Sequence, residues 1–199
     1  MSRTARYKIG YVVAIGVIAT LAFLLMSAVD ADPLVAALLV ALFLFIPGRV
    51  QGILYRELFR GRRLLAQHRE VEAIGHFHRY LADVRARPWL KRMIWLSWSI
   101  YTPDVEAMAL NNIGAAHLRL GHLDEAESAL RRALALDEKY PLPHFNMAVL
   151  HEMRGNRTLA EKALAEAVAL GYSGGTVDTI INHAHVLLAR AEGRGVKDA

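Results

Sequence analysis

Apolar residues fall along this chain in two patterns, one unbroken and one striped, and each predicts a different kind of helix. From Ile9 to Val29 runs a stretch of 21 residues without a charge, IGYVVAIGVIATLAFLLMSAV. As a helix rising about 1.5 Å per residue it covers ~31 Å, the thickness of a bilayer's hydrocarbon core. A second uncharged run, Pro33 to Pro47 (PLVAALLVALFLFIP), covers ~22 Å on the same rise. Only the polar corner around Asp30 and Asp32 separates them. The pair therefore predicts an antiparallel transmembrane hairpin with spans at 9–29 and 33–47. Local bilayer thinning or snorkelling of Arg49 would help the shorter span. The rival reading is a cleaved signal peptide with Arg3, Arg6 and Lys8 as its basic start. The first run is longer than the usual ~7–15 apolar residues of such a segment, and a second run follows at once.

Past Arg49 the apolar positions become stripes, and the stripes repeat. A shift of 34 residues aligns LNNIGAAHLRLGHLDEAESALRRALAL, from Leu110, with HFNMAVLHEMRGNRTLAEKALAEAVAL, from His144. Asn112 then meets Asn146, His117 meets His151, Gly121 meets Gly155, Ala126 meets Ala160 and Leu130 meets Leu164, with further matches through Leu136 and Leu170. In the first unit Leu110, Ile113, His117 and Leu120 recur every three to four residues, the stripe of a helix that ends at Gly121. Asp124 opens a second helix whose buried stripe is Ala126, Leu130, Ala133 and Leu134. Small residues at 126 and 133 let the two helices approach closely. One such pair cannot bury its own faces, so neighbours must stack on it.

These units resemble the tetratricopeptide repeat. Gly114 stands at the family's helix-packing glycine, Ala126 at its small position, Leu130 at its large apolar position and Ala133 at its later alanine; the second unit has Ala148, Ala160, Leu164 and Ala167 there. Leu110 and His144 replace the family tryptophan, His117 and His151 its tyrosine, and Glu138 a common proline. Repeats are expected at about 107–140 and 141–174. Upstream, Gly61, Ala73 and Phe77 have the same relative spacing as Gly114, Ala126 and Leu130, which predicts a degenerate pair over about 54–84 in a basic region spanning 48–103. Downstream, Val177, Ile180, Ile181, Ala184, Leu187 and Leu188 predict a capping helix over 176–192, with a flexible tail at 193–199. The expected fold is all-α: a basic start (1–8), a membrane hairpin, then a short helical solenoid.

Charge divides along the same lines. The formal net charge is +5, but residues 49–103 carry +7 and residues 104–199 carry −3. Arg49, Arg56, Arg60, Arg62 and Arg63 follow the second apolar run directly, making a basic collar suited to anionic lipid head groups and to topology alike. Basic residues before the first run and after the second place both ends of the chain and the repeats in the cytoplasm. We read an integral protein of a bacterial inner membrane. All three tryptophans, Trp89, Trp95 and Trp98, lie in PWLKRMIWLSWSIYTP at 88–103. Two readings of this insert stay open: an aromatic interface segment on the bilayer, or filler for the solenoid core.

Candidate chemistry is sparse. With 54% hydrophobic residues the chain has ample apolar surface to bury, so general disorder is excluded. It has no cysteine, hence no disulfide, thiolate metal site or cysteine nucleophile. The nine histidines include pairs two apart (His76 with His78, His183 with His185), which point to different sides of a helix. His151-Glu152 lacks the second histidine of HExxH, and no phosphate-cradling or nucleophile-elbow motif occurs. No enzyme activity, cofactor or metal is expected, and the arginines carry no nucleic-acid recognition motif.

What the resemblance implies is a groove. In this family the first helix of each repeat lines a concave surface that holds a partner segment. By repeat position the lining is Met108, Asn111, Ala115, Leu118 and Arg119, then Leu142, Phe145, Val149, Glu152 and Met153. Members that clamp a C-terminal carboxylate carry an asparagine where this chain has Ala115 and Val149. An apolar, methionine-containing surface instead suits an amphipathic helix or hydrophobic segment. The expected role is a membrane-anchored scaffold without catalysis. Its rivals are a periplasm-facing assembly factor of envelope or cytochrome biogenesis, and a structural subunit bound to a membrane complex through its spans.

Overall fold

The computed structural model describes residues 3–28, 32–91 and 102–195. Among these residues every regular element is helical: α1 (Arg3–Ala28), α2 (Pro33–Leu54), α3 (Arg56–Ala66), α4 (Glu70–Ala86), α5 (Val105–Leu120), α6 (Leu123–Leu136), α7 (Pro141–Met153), α8 (Arg157–Ala169) and α9 (Val177–Gly195), with a short 3₁₀ turn at 88–91.

α1 and α2 lie against each other. Asp32 caps α2, its carboxylate accepting from the backbone N–H of Leu34 at 2.8 Å and of Val35 at 3.3 Å, and Pro33 takes the first turn, where its missing N–H costs nothing. Among the described residues one stretch, Ile9–Met26, is long and apolar enough to cross a membrane, and none of it is buried. That narrows the two-span expectation. α2 does not stop at Pro47 but continues through Gly48, Arg49 and Gln51 to Leu54, so its second half is not a purely apolar rod.

Beyond α2 the helices pack in pairs, α3 with α4, α5 with α6 and α7 with α8, and each pair stacks on the next through α4 on α5 and α6 on α7. One close contact recurs. A Cβ on Gly114 would lie 2.6 Å from Leu130 Cγ, and one on Gly61 would lie 2.6 Å from the Phe77 ring. Only glycine lets these helices approach so closely, and both large partners are fully buried. Gly121 ends α5 in the left-handed region at φ 79°, and Gly155 repeats that conformation at φ 73° after α7.

The junction between α2 and the pairs is fixed by one side chain. Tyr55, in the turn between α2 and α3, is 1% exposed, donates its hydroxyl to the Leu90 carbonyl at 2.7 Å, and meets the Tyr80 ring edge-to-face at 5.7 Å. Burial pushes its phenol pKa up to about 12. The apolar hairpin is thereby tied to the core of the first helix pair. Leu90 fills that core while Trp89, its neighbour, is 46% exposed. For Trp89 the core-filling reading is therefore overturned, because the 3₁₀ turn directs residue 90 inward in its place. Trp95 and Trp98, most of the insert and the last residues of the expected tail lie outside the described residues.

Candidate protein-interaction face

The first helices of the last two pairs, α5 and α7, lie side by side and form one face. Asn146 ties them, donating from Nδ2 to Asn111 Oδ1 at 2.8 Å. Of the ten expected lining residues, Met108, Ala115, Arg119, Leu142, Phe145 and Glu152 are half-buried, while Asn111, Leu118, Val149 and Met153 are buried. Those four are thus not open surface, and Leu118, Val149 and Met153 are covered by α9. Expected as a cap continuing the stack, α9 packs on both α5 and α7 and hardly on α8. Its buried residues Ile180, Ala184 and Leu187 join one apolar cluster with Leu118, Val149 and Met153. Their spacing of four and three is that of a single helical stripe. The Phe145 ring stands 4.6 Å from the Tyr172 ring and 6.5 Å from that of His183.

Charge sits at the edge of this contact. Arg119 donates from Nη1 to the Leu65 carbonyl at 2.5 Å, linking α5 to the end of α3. Burial lowers its pKa; nearby Glu70 opposes that and Arg190 of α9 adds to it. His183 is likewise lowered by burial, then by Arg119 and Arg190. Two guanidinium groups, those of Arg119 and Arg190, thus approach each other and His183 where α9 crosses α5. At the far end of α7, Arg154 donates to both Asp124 and Glu127 of α6. Tyr172, His183 and Arg190 carried no sign of a role at this face, because Tyr172 falls at the end of the second repeat and the other two lie beyond it in the expected cap.

The basic collar lies on the end of α2 and on α3, where Arg49, Arg56, Arg60, Arg62 and Arg63 are all exposed. Its centre is acidic. Glu57 is 7% exposed and receives His76 Nδ1 at 2.8 Å and Arg79 Nε at 3.2 Å, with Arg56 and Arg60 at 3.5 and 3.6 Å. Burial alone would raise its pKa, but the hydrogen bonds and charges of His76 and Arg79 prevail and hold it below the ordinary carboxylate range. Arg60, Arg63, Arg69 and His76 line a shallow cleft of about 370 Å³ together with Glu72, which Arg69 holds through two hydrogen bonds of 2.6 Å.

His117 and His151 occupy matching places in the two pairs. In each the Nδ1 is buried without a hydrogen-bond partner. Burial lowers both pKa values; His122 adds to the effect at His117, and Arg154 and Arg131 add to it at His151 against Glu127. These are packing histidines held neutral. Among the described residues no group of three or more histidines and carboxylates is placed to hold a metal.

Residues 107–140, covering most of α5 and all of α6, match the family model of the tetratricopeptide repeat. No curated protein and no solved structure matches the chain.

Proposed function

We propose that this tetratricopeptide-repeat chain is a membrane-anchored scaffold that binds a partner protein through the α5–α7 face and performs no catalysis. Tetratricopeptide domains bind protein partners in general and are typically non-catalytic. The observation that carries the reading is the presence on one chain of such a repeat and of an 18-residue apolar stretch with no buried share. An apolar helix with no protein to cover it is stable in lipid. Tyr55 would hold the repeats at a set distance from that anchor, and the exposed arginines of α3 would rest on anionic head groups, each adding ~1 kcal/mol. Confinement to the membrane raises the effective concentration of the face toward partners there.

Orientation has two readings. If α2 also spans, both ends and the repeats lie in the cytoplasm; if Ile9–Met26 spans alone, the repeats lie on the other side, as a periplasmic assembly factor would place them. Arg49 within the length of α2 keeps the second reading in play. A chain without native cysteines makes the test clean. Exposed Val186→Cys is treated with a membrane-impermeant maleimide in cells whose outer membrane is opened. Labelling only after the inner membrane is permeabilised gives the cytoplasmic hairpin; labelling beforehand gives the single span. A photo-crosslinker at Leu142 that yields no protein adduct in native membranes would refute the scaffold.

A further inference from the structure

We infer that α9 is a tethered, exchangeable occupant of the interaction face, and that the face's partner is an amphipathic helix with α9's apolar spacing and an acidic residue opposite Arg119. The inference rests on the scaffold reading and deepens it by naming what the face accepts. Three observations on α9 carry it.

The first is placement. α9 lies over α5 and α7, the two helices that form the face, rather than extending the stack over α8. What the face holds in this state is a helix, seated by Ile180, Ala184 and Leu187. The small central alanine brings the two surfaces close, and the stripe defines the apolar spacing that a rival must present. The second is attachment. α8 ends at Ala169, and the chain reaches Val177 through Gly171, in the left-handed region at φ 99°, and Gly174-Gly175. This short glycine-containing connection, in which Gly175 passes close to Leu164 of α8, keeps α9 at an effective concentration of millimolar order. The third is charge. Docked α9 brings the Arg190 guanidinium toward that of Arg119, whose counterweights, the Leu65 carbonyl and Glu70, belong to the first helix pair. A helix with glutamate at the position of Arg190 turns a repulsion into an attraction, so the face discriminates for acidic helices and against its own.

The test uses the full chain in nanodiscs containing phosphatidylglycerol, with a protease site inserted between Ser173 and Gly174. The probe is a fluorescent peptide with the α9 sequence carrying Arg190→Glu. Expected results are weak binding to the uncut chain, release of α9 after cutting when the peptide is present, and affinity at least about tenfold higher for the cut chain, because the tethered competitor is gone. The peptide with the native arginine should bind about fivefold less tightly. Should the inserted site impair folding, Ala184→Asp in the uncut chain weakens α9 docking alone and should tighten peptide binding. Retention of α9 after cutting, collapse of the cooperative melt on its release, or unchanged peptide affinity in Ala184→Asp overturns the inference. If the peptide binds neither chain while cross-links from Leu142 persist, this inference alone falls; if those cross-links are missing too, the scaffold reading falls with it.

Discussion

Val17 in α1 and Val186 in α9 are the same residue with nearly the same exposure, 52% and 49%. Their surroundings separate them. Around Val17 the whole circumference of the helix is apolar, with Leu21, Phe23 and Leu25 exposed at 60%, 60% and 69%. Around Val186 only one stripe is apolar and it is buried, with Ala184 and Leu187 at 1% and 2%. Exposure by itself therefore does not identify the solvent; the pattern around the helix does. A stripe asks for a protein surface, and α9 has found one. A helix apolar all round asks for lipid.

Substitutions at matched sites sharpen this contrast. Largest is Leu130→Ala, which empties a fully buried site pressed against Gly114 and should cost about 2–5 kcal/mol in a thermal or urea melt. Next is Gly114→Ala, whose added methyl meets Leu130 at 2.6 Å and should cost about 1–3 kcal/mol, whereas Gly10→Ala in α1, with no atom within 4 Å, should leave the melt of the helix pairs unchanged. Equal effects at 114 and 10 would break the comparison. Arg154→Gln, which removes the link from α7 to Asp124 and Glu127, should lower stability by about 1 kcal/mol.

The smallest effect is with pH. His117, His151 and His183 have pKa values below the ordinary histidine value when folded, so the unfolded chain binds more protons as the solution passes below about 6.5. Stability from these groups is full above that value and is lost as the pH falls toward the lowered ones. The groups facing them are His122, His78 and Glu125 at His117; Glu127, Arg154 and Arg131 at His151; and Arg119 and Arg190 at His183. Glu57 acts in the same sense at lower pH, below about 4.5, where its protonation releases His76 and Arg79. Melts should shift downward between pH 7.5 and 5.5, and Leu142→Ala, which removes none of these groups, should not alter that slope.

The helix pairs were legible because their signals are local. Gly114 with Leu130 and Gly61 with Phe77 are each sixteen residues apart in sequence, and a glycine facing a large apolar residue at that spacing already implies two helices in contact. The seat of α9 was not legible. Its stripe says that one side is buried, but an apolar stripe carries no address, and stacking on α8 or crossing α5 and α7 would satisfy it equally. The same limit hid the approach of Arg119 to His183 and Arg190, which lie seven apart on one helix but remote in sequence from Arg119. At α2 the uncharged run ended at Pro47, yet the helix did not, since backbone hydrogen bonding continues across the proline while hydropathy falls. Trp89 followed its neighbour: once Leu90 turned inward, residue 89 faced out.

The claim that one helix of this chain is solvated by lipid while the repeats are solvated by water and by α9 can be read from two nitroxides. Val17→Cys and Val186→Cys are spin-labelled separately in nanodiscs, and relaxation by oxygen, which concentrates in lipid, is compared with relaxation by a water-soluble nickel chelate. The account predicts that the label at 17 responds to oxygen and is shielded from nickel, with the reverse at 186. Equal access of nickel to both positions would contradict it.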